Sequence, residues 1–202
     1  MIESHNIDKP AYWDSRYRSD EADWDMGTPT PAFEDLLDSK KLEPGTALVL
    51  GCGKGYDALL FAQRGFDVTA IDFSSEAIVH ARVLAEQNGV KINFVQEDLF
   101  DYSLDVMDEF NYVIEYVTYC AIDPARRAEF ASMAASVLKP GGQLVGLFFP
   151  LDNHSGGPPF AVSMDEVHRL FGRKLELVSV EAPPRSVTPR KGRELMTIWK
   201  KK

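Results

Sequence analysis

The chain has 202 residues, of which 45% are hydrophobic, and a formal net charge of −9 at pH 7. This length and apolar content predict one domain with one sizeable core. The negative charge disfavours nucleic acid and favours a small-molecule partner, and no apolar run has the length of a membrane span or the pattern of a signal peptide. We therefore expect a cytoplasmic monomer without nucleic-acid or membrane partners.

The cysteines and histidines bear on the compartment and on metal binding. The two cysteines form neither a disulfide spacing nor a CxxC pair, which is typical of a reducing compartment. The histidines are scattered at His5, His80, His154 and His168. Because none of them forms a ligand-spaced cluster with cysteine, we expect no metal.

Residues 1–44 are predicted to form an N-terminal helical extension, and residues 45–202 the main α/β body. Trp13 and Tyr17 are four positions apart and share a helix face, whereas Trp24 follows in an irregular stretch. The two ring-bearing helix residues suit either a core or a lid. A second helix is predicted to open at Thr30 and Pro31.

Strands and helices then alternate, which predicts a mostly parallel sheet covered on both faces. The predicted strands are 47–50, 67–71, 92–95, 112–114, 144–149, 175–181 and 195–199. The predicted helices are 56–64, 75–88, 124–138 and 164–170. Since only a polar, proline-rich linker joins the last two strands, they should pair antiparallel.

The most informative stretch is residues 48–56 (LVLGCGKGY), an apolar strand followed by a glycine-rich turn. Gly51, Gly53 and Gly55, with Cys52 between them, allow a tight bend that exposes main-chain N–H groups to a ligand. The next strand ends in Asp72, placed to accept hydrogen bonds from a ribose diol. Together these features predict a nucleoside cofactor.

The glycine spacing favours S-adenosylmethionine over a dinucleotide. The turn reads GxGxG rather than GxGxxG, and Lys54 is not followed by the Ser or Thr of a nucleotide-hydrolysing loop. Asp98 and Leu99, beyond the third strand, suit an adenine amine and ring. A nicotinamide-dependent oxidoreductase and a non-catalytic cofactor-binding regulator remain as alternatives.

Longer motifs resemble the thiopurine S-methyltransferase family, and within it the plant halide, thiocyanate and thiol methyltransferase branch. These motifs are the N-terminal aromatics, the turn GCGKGYD, residues 115–124 (EYVTYCAIDP), residues 148–160 (FFPLDNHSGGPPF) and the tail PRKGRE. The resemblance implies a class I methyltransferase with a Rossmann-like three-layer fold. Its seven-stranded sheet has an antiparallel last strand, and an aromatic N-terminal lid covers it. It also implies S-adenosylmethionine as cofactor and S-adenosylhomocysteine as its product.

The same resemblance implies cofactor-binding residues, which are Trp13, Tyr17, Trp24, Gly51, Asp72, Asp98, Leu99 and Tyr116. Their place in the glycine turn or at the end of the second strand adds Cys52, Gly53, Gly55 and Phe73 to the predicted cofactor site. As a separate hypothesis, we predict an aromatic acceptor pocket whose ring faces hold the sulfonium methyl group by cation–π attraction. It would be formed by Trp24, Tyr116, Tyr119 and Phe160.

Two features bear on the acceptor. Arg190 is a candidate for attracting an anionic acceptor, so Tyr116, Tyr119 and Arg190 are the predicted catalytic residues. The family branch usually reads DYVFFC where this chain reads EYVTYC, and the [ND]PPY motif of amino-group methyltransferases is absent there. We therefore predict a soft sulfur or halide acceptor that needs no dedicated general base.

Overall fold

The computed structural model describes residues 7–19 and 21–202. Two helices come first, and strands and helices alternate after them. The strands are β1 (Thr46–Leu50), β2 (Asp67–Asp72), β3 (Asn93–Gln96), β4 (Phe110–Tyr116), β5 (Leu138–Phe148), β6 (Leu175–Glu181) and β7 (Leu195–Lys201). The helices are α1 (Pro10–Arg18), α2 (Pro31–Asp38), α3 (Tyr56–Gln63), α4 (Ser75–Gln87), α5 (Leu99–Asp105), α6 (Arg127–Val137) and α7 (Met164–Phe171), with a 3-10 turn at Pro124–Arg126 before α6.

The strands form one sheet in the order β3-β2-β1-β4-β5-β7-β6. β1 to β5 are parallel, and β7 lies between β5 and β6 and is antiparallel to both. This is the predicted class I methyltransferase topology, and the antiparallel pairing of the last two strands is confirmed.

Two buried clusters lie on opposite faces of the sheet. Leu48 and Leu50 of β1 belong to one, and Ala47 and Val49 to the other, as the two-residue period of a strand requires. Both faces are covered, so the central strands carry continuous apolar runs. None of the helices in the described ranges combines the length and apolar character needed to cross a bilayer.

Three local predictions were wrong. β5 includes Gly141 and Gly142, which the sequence assigned to a turn. Its register with β4 shifts between Leu138 and Gln143, and Gly141 has φ +76°, so the two glycines form an irregularity within the strand. A Cβ on Gly142 would lie 2.9 Å from the Lys139 carbonyl oxygen and 3.0 Å from that of Phe110, so glycine there permits close backbone approach. The helix α5 was not predicted, and a 3-10 turn precedes α6.

Candidate cofactor and acceptor site

A cavity of about 510 Å³, the larger cavity, lies beyond the carboxyl ends of β1, β2 and β4. This is the edge where parallel α/β sheets collect ligands, and the volume lies within the roughly 300–1,000 Å³ of small-molecule sites. A second cavity of about 100 Å³, the smaller cavity, adjoins it, since Tyr17, Trp24, Gly51 and Arg190 line both. Twelve of the predicted site residues line one or both. They are Trp13, Tyr17, Trp24, Gly51, Cys52, Gly53, Asp72, Phe73, Asp98, Leu99, Tyr116 and Arg190.

The glycine turn is built around close approach. Gly51 has φ +52°, and a Cβ there would lie 2.4 Å from Oγ1 of Thr118, which donates to the Leu50 carbonyl. A Cβ on Gly53 would lie 3.1 Å from the Tyr17 hydroxyl. Gly55 was predicted to bind the cofactor but lines neither cavity. It is the N-cap of α3 and has a left-handed backbone.

Gly51→Ala should weaken S-adenosylhomocysteine binding by at least ~100-fold, because the methyl group both opposes a left-handed backbone and collides with Thr118. Isothermal calorimetry measures this effect. Gly89→Ala is the matched control: Gly89 also has positive φ, +64°, but nothing lies within 4 Å of its would-be Cβ. Equal binding by both variants would contradict the steric role of Gly51.

Asp72 ends β2 at the wall of the larger cavity. Oδ2 accepts from the Gly53 N–H at 2.9 Å, and Oδ1 accepts from the Ser74 N–H at 2.9 Å. Burial raises the pKa of this carboxyl to about 6, against the lowering effect of those two donors. Each oxygen has a second lone pair, so the group is placed to accept from a ligand diol.

The N-terminal aromatics form a cluster over the cavity. The rings of Trp13 and Trp24 meet edge to face at 5.2 Å, and those of Tyr17 and Trp24 at 5.5 Å. Trp24 Nε1 donates to the Tyr17 hydroxyl at 3.2 Å. Burial raises the pKa of Tyr17 above its ordinary value, so this hydroxyl stays protonated. α1 has no fully buried residue, so Trp13 and Tyr17 are not core aromatics, and both line the larger cavity.

The far end of the larger cavity is lined by Phe73, Asp98 and Leu99. Asp98 is the N-cap of α5, where Oδ1 accepts from the Phe100 N–H at 2.9 Å. Its carboxylate is therefore fixed in orientation by the backbone beside the cavity. Arg126 lies 3.6 Å from the centre of the Phe100 ring and closes this end.

Arg190 lies between the two cavities and is only 5% exposed. Its guanidinium carbon is 5.0 Å from the centre of the Tyr116 ring and 5.3 Å from that of Phe149, and Nη2 donates to the Trp24 carbonyl at 2.5 Å. Within the described ranges no carboxylate oxygen lies within 4.0 Å of its side-chain nitrogens, but its charge opposes the rise in the pKa of Asp57 that burial causes. Arg190 is thus a desolvated cation without a direct ion pair, and it lies beside both cavities.

Tyr116 lines the smaller cavity, and a buried carboxylate fixes the position of its hydroxyl. Its hydroxyl donates to Oε2 of Glu194 at 2.9 Å, and Glu194 is itself 4% exposed. Sequence reasoning did not assign Glu194 or Phe149 to the site, whereas the comparison of EYVTYC with DYVFFC already placed Thr118 at the acceptor pocket. The first of these stood within the quoted tail PRKGRE, but only the fold brings it to β4.

Two predicted pocket residues, Tyr119 and Phe160, do not line either cavity, which corrects the prediction for both. Tyr119 is 1% exposed and packs against Phe130 and Phe148 at ring distances of 5.5 and 5.4 Å. The cause is Val117, whose φ of 60° turns the chain sharply after β4. The turn directs Thr118 to the cavity and leaves the Tyr119 ring in the core.

Tyr119→Phe should leave the acceptor kinetics unchanged and raise the free energy of unfolding by roughly 0.5–2 kcal/mol. The Tyr119 hydroxyl is buried without a hydrogen-bond partner among the described residues, and removing such a group avoids its desolvation cost. Urea unfolding and acceptor kinetics measure the two effects. A marked rise in acceptor KM would restore Tyr119 to the pocket.

Comparison with known proteins identifies the family to which this chain belongs. Residues 8–200 match the family described as thiopurine S-methyltransferase (TPMT). The chain belongs to the thiopurine S-methyltransferase family. It is a methyltransferase that uses S-adenosylmethionine, and the family resemblance seen in the motifs is confirmed.

Similar relatives carry related names. Probable thiol methyltransferase 2 of Arabidopsis thaliana is 34% identical over 192 residues, covering 94% of this chain and 84% of the relative. Thiocyanate methyltransferase 1 of Brassica oleracea is 35% identical over 195 residues, with the same coverage of 94% and 84%. Neither an oxidoreductase nor a non-catalytic regulator gains support from these relatives.

A solved structure shares the fold. The 1,6-didemethyltoxoflavin-N1-methyltransferase of Burkholderia thailandensis, with bound 1,6-didemethyltoxoflavin and S-adenosylhomocysteine, has a TM-score of 0.75 at 20% identity. The match covers 95% of this chain and 86% of that one.

The residues of this chain fit the cofactor that the family uses. Glycine at 51 and 53 keeps the floor of the site free of side chains, and Asp72 offers free lone pairs beside it. In the described ranges, no three or more His, Cys, Asp or Glu side chains gather as a metal site would require. His5, one of the scattered histidines, lies outside those ranges.

Proposed function

We propose that this methyltransferase acts on a small, soft, anionic nucleophile, such as a thiolate, thiocyanate or a halide. The observation that carries the proposal is Arg190, a buried guanidinium that lines both cavities and forms no direct ion pair with a carboxylate of the described chain. The names of the relatives, which act on thiols and thiocyanate, support the same class of acceptor.

Bound S-adenosylmethionine would supply an electrophilic methyl group on a positively charged sulfur. We propose that Asp72 holds the ribose hydroxyls and that Asp98 and Leu99 hold the adenine. Main-chain groups of Gly51, Cys52 and Gly53 would then hold the amino-acid portion. Asp72 faces the turn of β1 directly through its hydrogen bond with Gly53, which supports this division.

The lid contributes by excluding water. Trp13, Tyr17 and Trp24 would cover the cofactor, and ring faces of Trp24 and Tyr116 would attract the positive sulfur. A displacement that neutralises charge is favoured in a dry site, because water would otherwise stabilise both charged reactants.

On the acceptor side, Arg190 would hold the anion while Phe149 and Tyr116 provide an apolar wall. A guanidinium between two aromatic faces is fixed in orientation, so it can position an anion without reorganising. Thiocyanate, halides and thiolates reach this position already charged, and no proton has to be removed at the moment of attack.

Glu115 supports the absence of a dedicated base. This carboxyl is 1% exposed and lines neither cavity, and Oε1 accepts from the Tyr119 N–H at 2.8 Å. Burial raises its pKa to about 8, so it is mostly protonated at pH 7. It therefore serves the turn after β4 rather than the acceptor.

The experiment that tests the proposal is a methyl-transfer screen at pH 7.5 with thiocyanate, hydrosulfide, small thiols, iodide and a thiopurine, read by mass spectrometry of volatile and dissolved products. We expect the small anions to be methylated with higher kcat/KM than the uncharged or bulky acceptors. Methylation confined to an amine or oxygen acceptor, with none on sulfur or halide, would overturn the proposal.

We also infer a cytoplasmic monomer. Cys52 and Cys120 are both free thiols, which suits a reducing compartment. Light scattering on the purified chain measures the oligomeric state.

A further inference from the structure

The lid helix α1 is held to the body by a small number of polar contacts. None of its residues is fully buried, so apolar packing alone does not fix its position. Its ion pair with the body, between Arg18 and Glu76 at 3.4 Å, is 60% exposed on the arginine side and contributes little. A stronger anchor must therefore hold the helix in place.

That anchor is Asp14, which meets the N-terminus of α4. Oδ1 accepts from the Ser74 hydroxyl at 2.6 Å and from the Glu76 N–H at 3.3 Å, while Oδ2 accepts from the Ser75 hydroxyl at 3.3 Å. Ser74 is the N-cap of α4, and its hydroxyl accepts from the Ala77 N–H. Asp14 is thus a second cap supplied by another helix, with its negative charge at the positive end of the helix dipole.

The same N-cap residue touches the cofactor site. The Ser74 N–H donates to Oδ1 of Asp72, so Ser74 holds the lid through its hydroxyl and the ribose acid through its backbone. One turn further along α1, Tyr17 lies over Gly53, whose N–H donates to the other oxygen of Asp72. Asp14 and Tyr17 therefore contact the two residues, Ser74 and Gly53, whose N–H groups hold the Asp72 carboxylate.

We propose that Asp14 is a positioning residue that fixes the aromatic lid over the cofactor by capping α4 from outside. Without this carboxylate, α1 loses its anchor, and Trp13 and Tyr17 no longer stay over the site. The cofactor then dissociates faster, whereas Arg190 keeps its contacts with the Tyr116 and Phe149 rings, neither of which belongs to α1. This inference rests on the proposed role of the lid and extends it to the residue that docks it.

The test compares Asp14→Ala and Asp14→Asn with Asp38→Asn as the matched control. Asp38 is also a helical aspartate, but it pairs with Arg64, its side chain is 62% exposed, and it lines neither cavity. S-adenosylhomocysteine binding by calorimetry and its release rate by tryptophan fluorescence are measured on the full chain. We expect Asp14→Ala to raise Kd about 10-fold, mainly through release, Asp14→Asn to have a smaller effect, and Asp38→Asn to have none.

Two further measurements separate positioning from general destabilisation. KM for S-adenosylmethionine should rise in Asp14→Ala while KM for the acceptor, at saturating cofactor, stays unchanged. Amide hydrogen exchange should increase over residues 10–18 and not in the central strands. Unchanged cofactor affinity and release in folded Asp14→Ala would overturn the inference, as would equal loosening of lid and core. Failure of the wild-type chain to bind S-adenosylhomocysteine would instead overturn the cofactor assignment.

Discussion

Replacing Arg190 by Ala is expected to lower kcat/KM for an anionic acceptor by on the order of 100-fold or more. In the wild-type chain the guanidinium is already desolvated and fixed between the Tyr116 and Phe149 rings, so its attraction for an anion is not diluted by water. The loss should fall mainly on the acceptor rather than on the cofactor. Steady-state kinetics with thiocyanate, at saturating S-adenosylmethionine, measure it.

Two variants control this prediction. Arg190→Lys keeps the charge but loses the planar fork, so it should recover part of the activity. Arg185→Ala removes an exposed arginine that pairs with Asp35 and Glu34 away from both cavities, and it should leave the kinetics unchanged. An Arg190→Ala enzyme with normal acceptor kinetics would exclude Arg190 from anion binding. If only cofactor affinity fell, the contact with the Trp24 carbonyl would be its main role.

Replacing Asp72 by Asn is expected to weaken S-adenosylhomocysteine binding by about 100-fold and to remove its dependence on acid pH. The carboxylate accepts from Gly53 and Ser74 and still has lone pairs for two hydroxyls, whereas an amide nitrogen would face donors. Calorimetry between pH 5 and pH 8 measures both effects.

The direction of the pH effect follows from the raised pKa. Asp72 has a pKa of about 6 in the free protein, and hydroxyl donors favour its charged form, so binding lowers that pKa. Affinity should therefore be full above pH 6 and fall up to tenfold per pH unit below it. For stability the sign is opposite. The native group binds its proton more tightly than the unfolded one, so its contribution to stability declines as pH rises from about 4 to 6.

Asp57 provides the control, because burial raises its pKa to about 6 as well. Its oxygens accept from the Thr30 N–H and hydroxyl at 2.7 and 2.9 Å, so it fixes the segment before α2, and it lines the smaller cavity but not the larger one, where Asp72 lies. Asp57→Asn should keep the acid dependence of binding. Dependence that persists in Asp72→Asn and vanishes in Asp57→Asn would contradict the assignment of the ribose acid.

The sequence by itself determined the sheet and the cofactor end of the site. Continuous apolar runs alternating with helical periods fix which segments become strands, and those signals are local. Asp72 is the last residue of β2, and Gly51 directly follows β1. Because these strands are parallel, chain order alone places both residues at the carboxyl edge of the sheet. The helix α5 is not predicted because it has only seven residues, too few to show a helical period, and its N-cap, Asp98, is equally suited to bind a ligand.

Only the tertiary structure decided the acceptor end and the anchoring of the lid. Tyr119 and Thr118 are neighbours in sequence, yet the left-handed backbone at Val117 sends one to the core and the other to the cavity. Asp14 meets Ser74 across 60 residues, and Tyr116 meets Glu194 across 78. Local patterns specify which face of a strand or helix is apolar. Pairings between distant polar groups depend on how the elements pack, and that is settled only when the whole chain is folded.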